Sequence, residues 1–386
     1  MDENFKMVAK TFYGFEDVLS KELLKLGAQK IEKGSRSVSF YGDKGFLYKA
    51  NLSLRTAIKI LKPITSFKFK DQDDFYNKIN KIEWEKYLDK EGSFLVNSIV
   101  FHSEMFNHSQ YVSQKVKDAV VDRFRDIFKK RPDVDLKHPD LRINIHINRN
   151  SCNVSLDSSG ESLHKRGYKA FGTVAPINEV LAAGIVLMSG WKADSDFLDP
   201  MCGGGTILIE AAMIACNMAP NLNRNEFAFE KWKDWDEDLF DLIEKSVLNK
   251  IIKFDHKIIG YDISGGVIKK AKENIKNAEL EIDVSVEKMD FFTTSKEEDS
   301  KLHILFNPPY DKRISYDIKQ MYTSIGDTLK NNYTNSNAWL ITSNIEALKH
   351  IALHPSKKIK LYNSNLEARL VNYEIYKGSK KEKNPR

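Results

Sequence analysis

The chain has 386 residues, 41% of them apolar and 30% charged, with 22 Phe and 15 Tyr. That is length for two or three domains, and far too aromatic for a disordered chain. Net charge is +6, but residues 1–170 hold 31 Lys and Arg against 23 Asp and Glu, whereas the remainder holds 29 against 31. A basic first half suits a nucleic-acid partner or, equally, an ordinary Lys-rich solvated surface. Cys152, Cys202 and Cys216 make no C-x-x-C pair, which speaks against a disulfide scaffold or a zinc ribbon. The longest apolar run, residues 180–188, falls far short of the ~20 residues a membrane span needs. The first six residues are acidic and polar, unlike a secretory signal. A soluble cytoplasmic protein with no membrane and no metal partner is expected.

In chain order, residues 6–10 alternate as a strand. Residues 15–26 show helical spacing and end at Gly27, a plausible C-cap. Residues 37–41 alternate again, and 45–61 read as a helix with Pro63 beyond it. A small α+β layer follows from this alternation. The pattern restarts after residue 64. Residues 94–100 are strand-like, and 109–130 are helical, with Val112, Val116, Val120, Phe124 and Phe128 at four-residue steps. Residues 141–148 alternate cleanly, with 152–157 as a hairpin partner. The polar face of Arg142, Asn144, His146 and Asn148 suits a solvated sheet face or an RNA face. Residues 157–175 read as a linker.

Beyond it, strands and helices alternate. Strands are expected at 196–199, 258–262, 282–286, 302–306, 338–342 and 369–376, and helices at 206–217, 264–277, 316–330 and 345–350. This predicts a doubly wound, mostly parallel α/β sheet. Residues 218–256, with Trp232 and Trp235, are too long for a simple connection and read as an insertion.

Chemistry concentrates at strand ends. After an apolar strand comes Asp199-Pro200-Met201-Cys202-Gly203-Gly204-Gly205-Thr206 and then a helix. Glycines let backbone approach a ligand and take positive φ, and the helix start offers free N–H groups. No Lys follows, so this is not a phosphate loop. Asp199 suits a cationic, amino-bearing ligand such as the methionine end of S-adenosylmethionine. Asp262 ends the next strand, where it could accept from ribose hydroxyls or cap the following helix. Asp290 precedes Phe291, which suggests an adenine contact only weakly. Asn307-Pro308-Pro309-Tyr310 directly follows the 302–306 strand. Two prolines make a rigid extended turn. An amide acceptor, an exposed carbonyl and an aromatic ring could together hold a planar base by its exocyclic amine.

These three segments, in this order and spacing, resemble the class I S-adenosylmethionine-dependent methyltransferases that act on exocyclic amines. Glu161-Ser162-Leu163-His164-Lys165-Arg166-Gly167-Tyr168 and Ala175-Pro176-Ile177-Asn178-Glu179 resemble the entry to the catalytic domain of THUMP-containing RNA methyltransferases. Ala219-Pro220-Asn221-Leu222-Asn223-Arg224 and Phe227-Ala228-Phe229-Glu230-Lys231-Trp232 resemble their insertion. The likeness covers nearly the whole chain and is greatest to the bacterial 23S ribosomal RNA guanine-N2-methyltransferases. Gly204 stands where many relatives carry Ser.

The resemblance implies a ferredoxin-like domain (1–64), a THUMP RNA-binding domain (65–156), the linker (157–175) and a Rossmann-like methyltransferase domain (176–386) with the 218–256 insertion. It assigns Asp199, Gly203 and Gly205 to the methionine end of S-adenosylmethionine, Asp262 to its ribose and Asp290 to its adenine. Pro200, Thr206, Ile263 and Phe291 join that set. Asn307, Pro308, Pro309 and Tyr310 are the implied catalytic residues, and Arg142, Lys165 and Arg166 the implied RNA contacts. Cys202 and Cys216 are expected to be packing residues. The chain stops soon after its sixth or seventh strand, so a second methyltransferase module is not expected. The implied reaction is N2-methylation of a guanine in structured RNA, 23S rRNA or its assembly precursor. Transfer RNA guanine-N2 methylation, DNA adenine-N6 methylation and a non-catalytic ribosome assembly factor are the alternatives.

Overall fold

A computed structural model describes residues 3–169, 177–297, 300–309, 317–363 and 365–377. Contacts divide the chain into two compact units. One comprises Met1–Thr11, Ser20–Leu163 and Arg224–Ser246, the other Phe12–Leu19, His164–Asn223 and Val247–Arg386.

The first unit is built on one eight-stranded sheet. Its strands are β1 (Phe5–Lys10), β2 (Gln29–Gly34), β3 (Ser37–Gly42), β4 (Lys59–Lys68), β5 (Ser93–Phe101), β6 (Asp133–Val134), β7 (Leu141–Asn148) and β8 (Ser151–Asp157), in the order β2-β3-β1-β4-β8-β7-β5-β6. Its helices are α1 (Glu16–Leu26, whose first turn counts with the second unit), α2 (Lys44–Ser53), α3 (Gln72–Asn80) and α4 (Ser109–Phe128). Gly27 ends α1 at φ 99°, a left-handed position that glycine takes without strain.

The helix expected over 45–61 is shorter. Asp43 caps α2, accepting from Phe46 N at 2.7 Å, and Leu54 is already extended. Asn51 turns inward to Ser158 and Ser159 at 3.0 and 2.7 Å. The chain then enters β4, pairing antiparallel with β1 on one side and β8 on the other. Two flanking ladders outweigh a helical spacing of apolar residues that fits either structure. β4 also runs through the 64/65 division drawn from sequence, with a bulge between Pro63 and Thr65 where proline has no N–H to give.

Of the residues expected as linker, those through Leu163 continue this unit, and those from His164 count with the second. Ser158 and Ser159 are fully buried, Leu163 N donates to Ile58 O at 2.8 Å, and Lys59 pairs with Asp157. The expected insertion divides. Within it, Arg224–Ser246 joins the first unit through an aromatic cluster in which Tyr48 meets Phe229, Trp235 and Phe240 at 4.6, 5.2 and 5.8 Å between ring centroids. That segment is acidic. By unit, Lys and Arg number 32 against 29 Asp and Glu in the first and 28 against 25 in the second. The charge asymmetry along the chain therefore does not survive folding.

The second unit holds α5 (Glu179–Met188), β9 (Asp196–Asp199), α6 (Thr206–Ala215), the end of α7 (Glu237–Leu248), β10 (Ile258–Asp262), α8 (Gly265–Asn277), β11 (Val284–Lys288), β12 (Leu302–Phe306), α9 (Ile318–Asn332), β13 (Ser336–Thr342), β14 (Lys357–Asn363) and β15 (Leu366–Ile375). The sheet order is β11-β10-β9-β12-β13-β15-β14, parallel through β13 and antiparallel at β15 and β14. This is the expected mostly parallel α/β sheet. The strand expected at 282–286 starts at Val284 instead, because Ile282 is wholly exposed while Val284 and Val286 are buried. The helix expected at 345–350 is a 3-10 turn, Glu346–Ile351. The apolar run 180–188 is α5, where a Cβ at Gly184 would lie 2.0 Å from the Phe15 ring.

Candidate active site

The strand order of the second unit reverses at β9, which pairs with β10 on one side and β12 on the other. Ligands of open α/β sheets bind outside the carboxyl ends of strands at such a point. Asp199, Asp262 and Asn307 stand at those ends of β9, β10 and β12.

Asp199 is buried and accepts from Met201 N at 3.1 Å. Burial pushes its carboxyl well above the usual carboxylate range; the Met201 N–H opposes this and the charge of Asp262 adds to it. The glycine loop that follows is tied down residue by residue. Cys202 N donates to Tyr261 O at 2.8 Å, Gly203 N to Asp262 Oδ2 at 3.2 Å, and Asn274 Nδ2 of α8 to Gly204 O at 2.8 Å. Gly203 and Gly205 have φ of 54° and 78°, so any other residue there is strained. A Cβ at position 203 would meet nothing within 4 Å. Gly203 thus faces open space, with the N-terminus of α6 and buried Thr206 just beyond. Pro200 is buried beneath the turn. At Gly260, by contrast, a Cβ would lie 2.3 Å from Leu208 and 3.0 Å from Cys202, so β10 and the loop pack in direct contact.

Asp262 Oδ1 accepts from Ser264 N at 2.9 Å, but Ser264 is the N-cap of α8. Its second oxygen holds Gly203, so this carboxylate links strand, helix and loop. Ile263 beside it is 54% exposed. Asp290 caps the 3-10 turn Phe291–Thr293, accepting from Phe292 N at 3.0 Å. The expected adenine contact of Phe291 needs correction. Its ring is 2% exposed and packs with Tyr333, Phe292 and Phe306 at 5.4, 5.8 and 6.0 Å, which leaves no free face. The β11 end needs an apolar anchor, and Phe291 fills that role.

Asn307 is half-buried, Pro308 buried and Pro309 half-buried. No hydrogen bond reaches the Asn307 amide among the described residues. Tyr310 lies outside the described residues. Cys202 and Cys216 are buried, and burial pushes the Cys202 thiol well above its usual range. Among the described residues no cluster of His, Cys, Asp or Glu is placed to hold a metal ion.

Of the expected RNA contacts, Arg142 is half-buried with Nη2 on Lys137 O at 3.1 Å, and Lys165 is exposed. Arg166 is not a surface residue. Its side chain is fully buried, with Nε 3.4 Å from Glu210 Oε1 and Nη1 3.1 Å from Asn221 Oδ1. Tyr168 Oη donates to the same Glu210 oxygen at 3.1 Å. Glu210 is the one charge of apolar α6, and a buried carboxylate needs partners. That lone Glu was the sequence signal for this network. Asn274 was also missed; nothing in α8 marks it as a loop anchor.

Three family models match the chain: a ferredoxin-like domain of the RlmL type over residues 6–61, a THUMP domain over 69–157, and an RMKL-like methyltransferase domain over 166–372. Among similar proteins, the ribosomal RNA large subunit methyltransferase K/L of Syntrophotalea carbinolica is 36% identical across 97% of this chain and 54% of its own length. The chain therefore spans about half of that relative. It spans 95% of slr0064 of Synechocystis sp., named as an RNA methyltransferase, at 34% identity over 94% of this chain. SMU.472, described as a methyltransferase and solved in complex with SAH, superposes with TM-score 0.88 at 29% identity, covering 98% of this chain and all of that one. The open cradle at Gly203, the buried Asp199 and the doubly bonded Asp262 fit the cofactor such a fold carries. The chain belongs to the RMKL-like methyltransferase family and is a class I methyltransferase in fold.

Proposed function

We propose that this chain methylates the exocyclic N2 amine of a guanine in structured RNA, with 23S ribosomal RNA or its assembly precursor as first candidate. The carrying observation is a half-buried Asn307 amide, without a hydrogen bond among the described residues, followed by Pro308 and Pro309 at the end of β12, next to the strand that bears the glycine loop. The RNA part is supported by the THUMP match and by the names of the K/L relatives and slr0064.

When bound, S-adenosylmethionine supplies a methyl group on a cationic sulfur. Asp199 would hold the amino group of its methionine end, Asp262 the ribose and Asp290 the adenine amine, with Pro200, Gly203, Gly205, Thr206 and Ile263 around them. Asn307 Oδ1 and the Pro308 carbonyl would accept the two hydrogens of the target amine. Those bonds draw the nitrogen lone pair out of conjugation with the ring and leave it nucleophilic. Tyr310 would stack on the base, which must be unpaired or flipped to present its amine. The first unit, with Arg142, and exposed Lys165 would hold the RNA.

Mass spectrometry of nucleosides from ribosomal and transfer RNA of a deletion strain tests this. Loss of N2-methylguanosine from 23S rRNA is expected. Loss from transfer RNA would move the substrate, and loss of N6-methyladenosine would move the base. Unchanged nucleosides, with cofactor still bound in vitro, would leave the assembly-factor reading.

A further inference from the structure

α4 covers one face of the β5–β7–β8 sheet. There Ser113 of α4 bonds Ser98 of β5 at 2.9 Å, and Ile143, Ile145 and Ile147 are fully buried. Strand alternation turns the neighbouring side chains to the opposite face. On it Ile99 and Phe101 stand 44% and 50% exposed. Phe101 lies against His146, ring centroids 5.6 Å apart, because β5 and β7 run parallel with Ile99 opposite His146. The register carries the face on to Asn153 of β8, opposite His146, and to Ser66 of β4, opposite Asn153.

Acids number 54 in 386 residues. Yet the outward positions of 97–101, 144–148, 151–153 and 66–68 hold Asn, Ser, His, Lys, Ile and Phe, with no carboxylate. Asp157, on the same side of β8, is buried at the far end and paired with Lys59. Here two half-exposed apolar side chains, Ile99 and Phe101, stand two residues apart on one strand among amides, hydroxyls and cations. Unpaired nucleotides ask for what is here: a ring for bases to stack on, amides for base edges, cations for phosphates and no repelling anion. Burial, with Lys10 adding, holds the His146 imidazole below its usual range, so the ring is neutral near pH 7.

We propose that this face is a platform for unpaired bases of the substrate RNA, with Phe101 and His146 as the stacking surface and Asn144, Asn153, Arg142 and Lys68 around it. It rests on the RNA reading above. The test is fluorescence anisotropy of a short fluorescein-labelled single-stranded RNA, and of a blunt RNA duplex, titrated with the full chain. Base stacking predicts that Phe101→Ala weakens single-strand binding roughly five- to a hundredfold. Phe101→Trp should retain it. Duplex binding, SAH affinity and the urea midpoint should stay near wild type.

Unchanged single-strand binding in a Phe101→Ala/His146→Ala variant would overturn the platform, as would an equal loss on duplex. Loss of self-association with RNA binding kept would assign the face to a second copy and overturn it too. If the platform fails this way while the wild type still yields N2-methylguanosine in RNA, the functional reading stands. If the wild type neither binds nor methylates RNA, both fall.

Discussion

Two segments of the second unit end on the same helix, α6, and differ in kind. The glycine loop, Asp199 to Gly205, is held by its backbone. Cys202 N, Gly203 N and Gly204 O are each tied to β10 or α8. Residues 166–168 are held by side chains instead, a guanidinium and a phenol converging on Glu210. A backbone site demands residue types that can be recognised one by one, above all glycine at positive φ. A side-chain site demands only that partners meet. The loop must also stay open to a ligand, whereas the Arg166 network is sealed.

The sealed side should give the largest effect. Glu210→Ala leaves a buried guanidinium without its counter-charge, a loss of about 3–5 kcal/mol, read as a fall in the urea midpoint or failure to fold. A double variant, Glu210→Ala with Arg166→Met, should be more stable than the two single losses added together. If Arg166→Ala instead leaves stability intact and weakens only RNA binding, Arg166 is a surface contact after all.

The open side should lose function without losing the fold. Asn307→Ala should lower kcat roughly a hundredfold or more, on the scale of removing one transition-state hydrogen bond, while SAH affinity by calorimetry stays near wild type. Comparable loss of both would make Asn307 a structural residue.

Asp199→Ala and Asp262→Ala should each weaken SAH about ten- to a hundredfold, as expected for a charge-assisted hydrogen bond. Asp262→Ala should also loosen the loop, visible as faster amide exchange at Gly203. Wild-type affinity in both variants would remove the cofactor assignments. Asn274→Ala removes one neutral hydrogen bond to Gly204 O, worth about 1 kcal/mol, so roughly fivefold weaker SAH is expected. No change would show that the loop holds its shape without α8.

The smallest effect is protonic. Burial first, and then Asp262, raises the Asp199 carboxyl, against the Met201 N–H, so the free protein retains a proton there at pH values where an ordinary Asp has lost it. An ammonium group favours the carboxylate, so binding should release part of a proton, and SAH affinity should rise with pH through that window. Calorimetry in buffers of different ionisation enthalpy reads the release. Proton uptake would reverse the sign and sink the account.

Local demands were legible from residues alone. Gly27, Gly203 and Gly205 marked positive φ, β9, β10 and β12 matched their expected bounds residue for residue, and β7 did so through its clean alternation. Each is a rule that a residue and its near neighbours obey. Partners far along the chain settled the rest. β4 replaced the end of an expected helix because β1 and β8 lay ready to pair with it. Phe291 turned into the core because Tyr333 and Phe306 make that site apolar. Arg166 left the surface because Glu210, 44 residues on, needed a counter-charge. Arg224–Ser246 joined the first unit because Tyr48 offered its aromatic residues a core. Backbone conformation and strand period are decided within a few residues and so are written locally. Burial of a ring or a charge depends on what the folded chain brings beside it, and only the tertiary structure decides that.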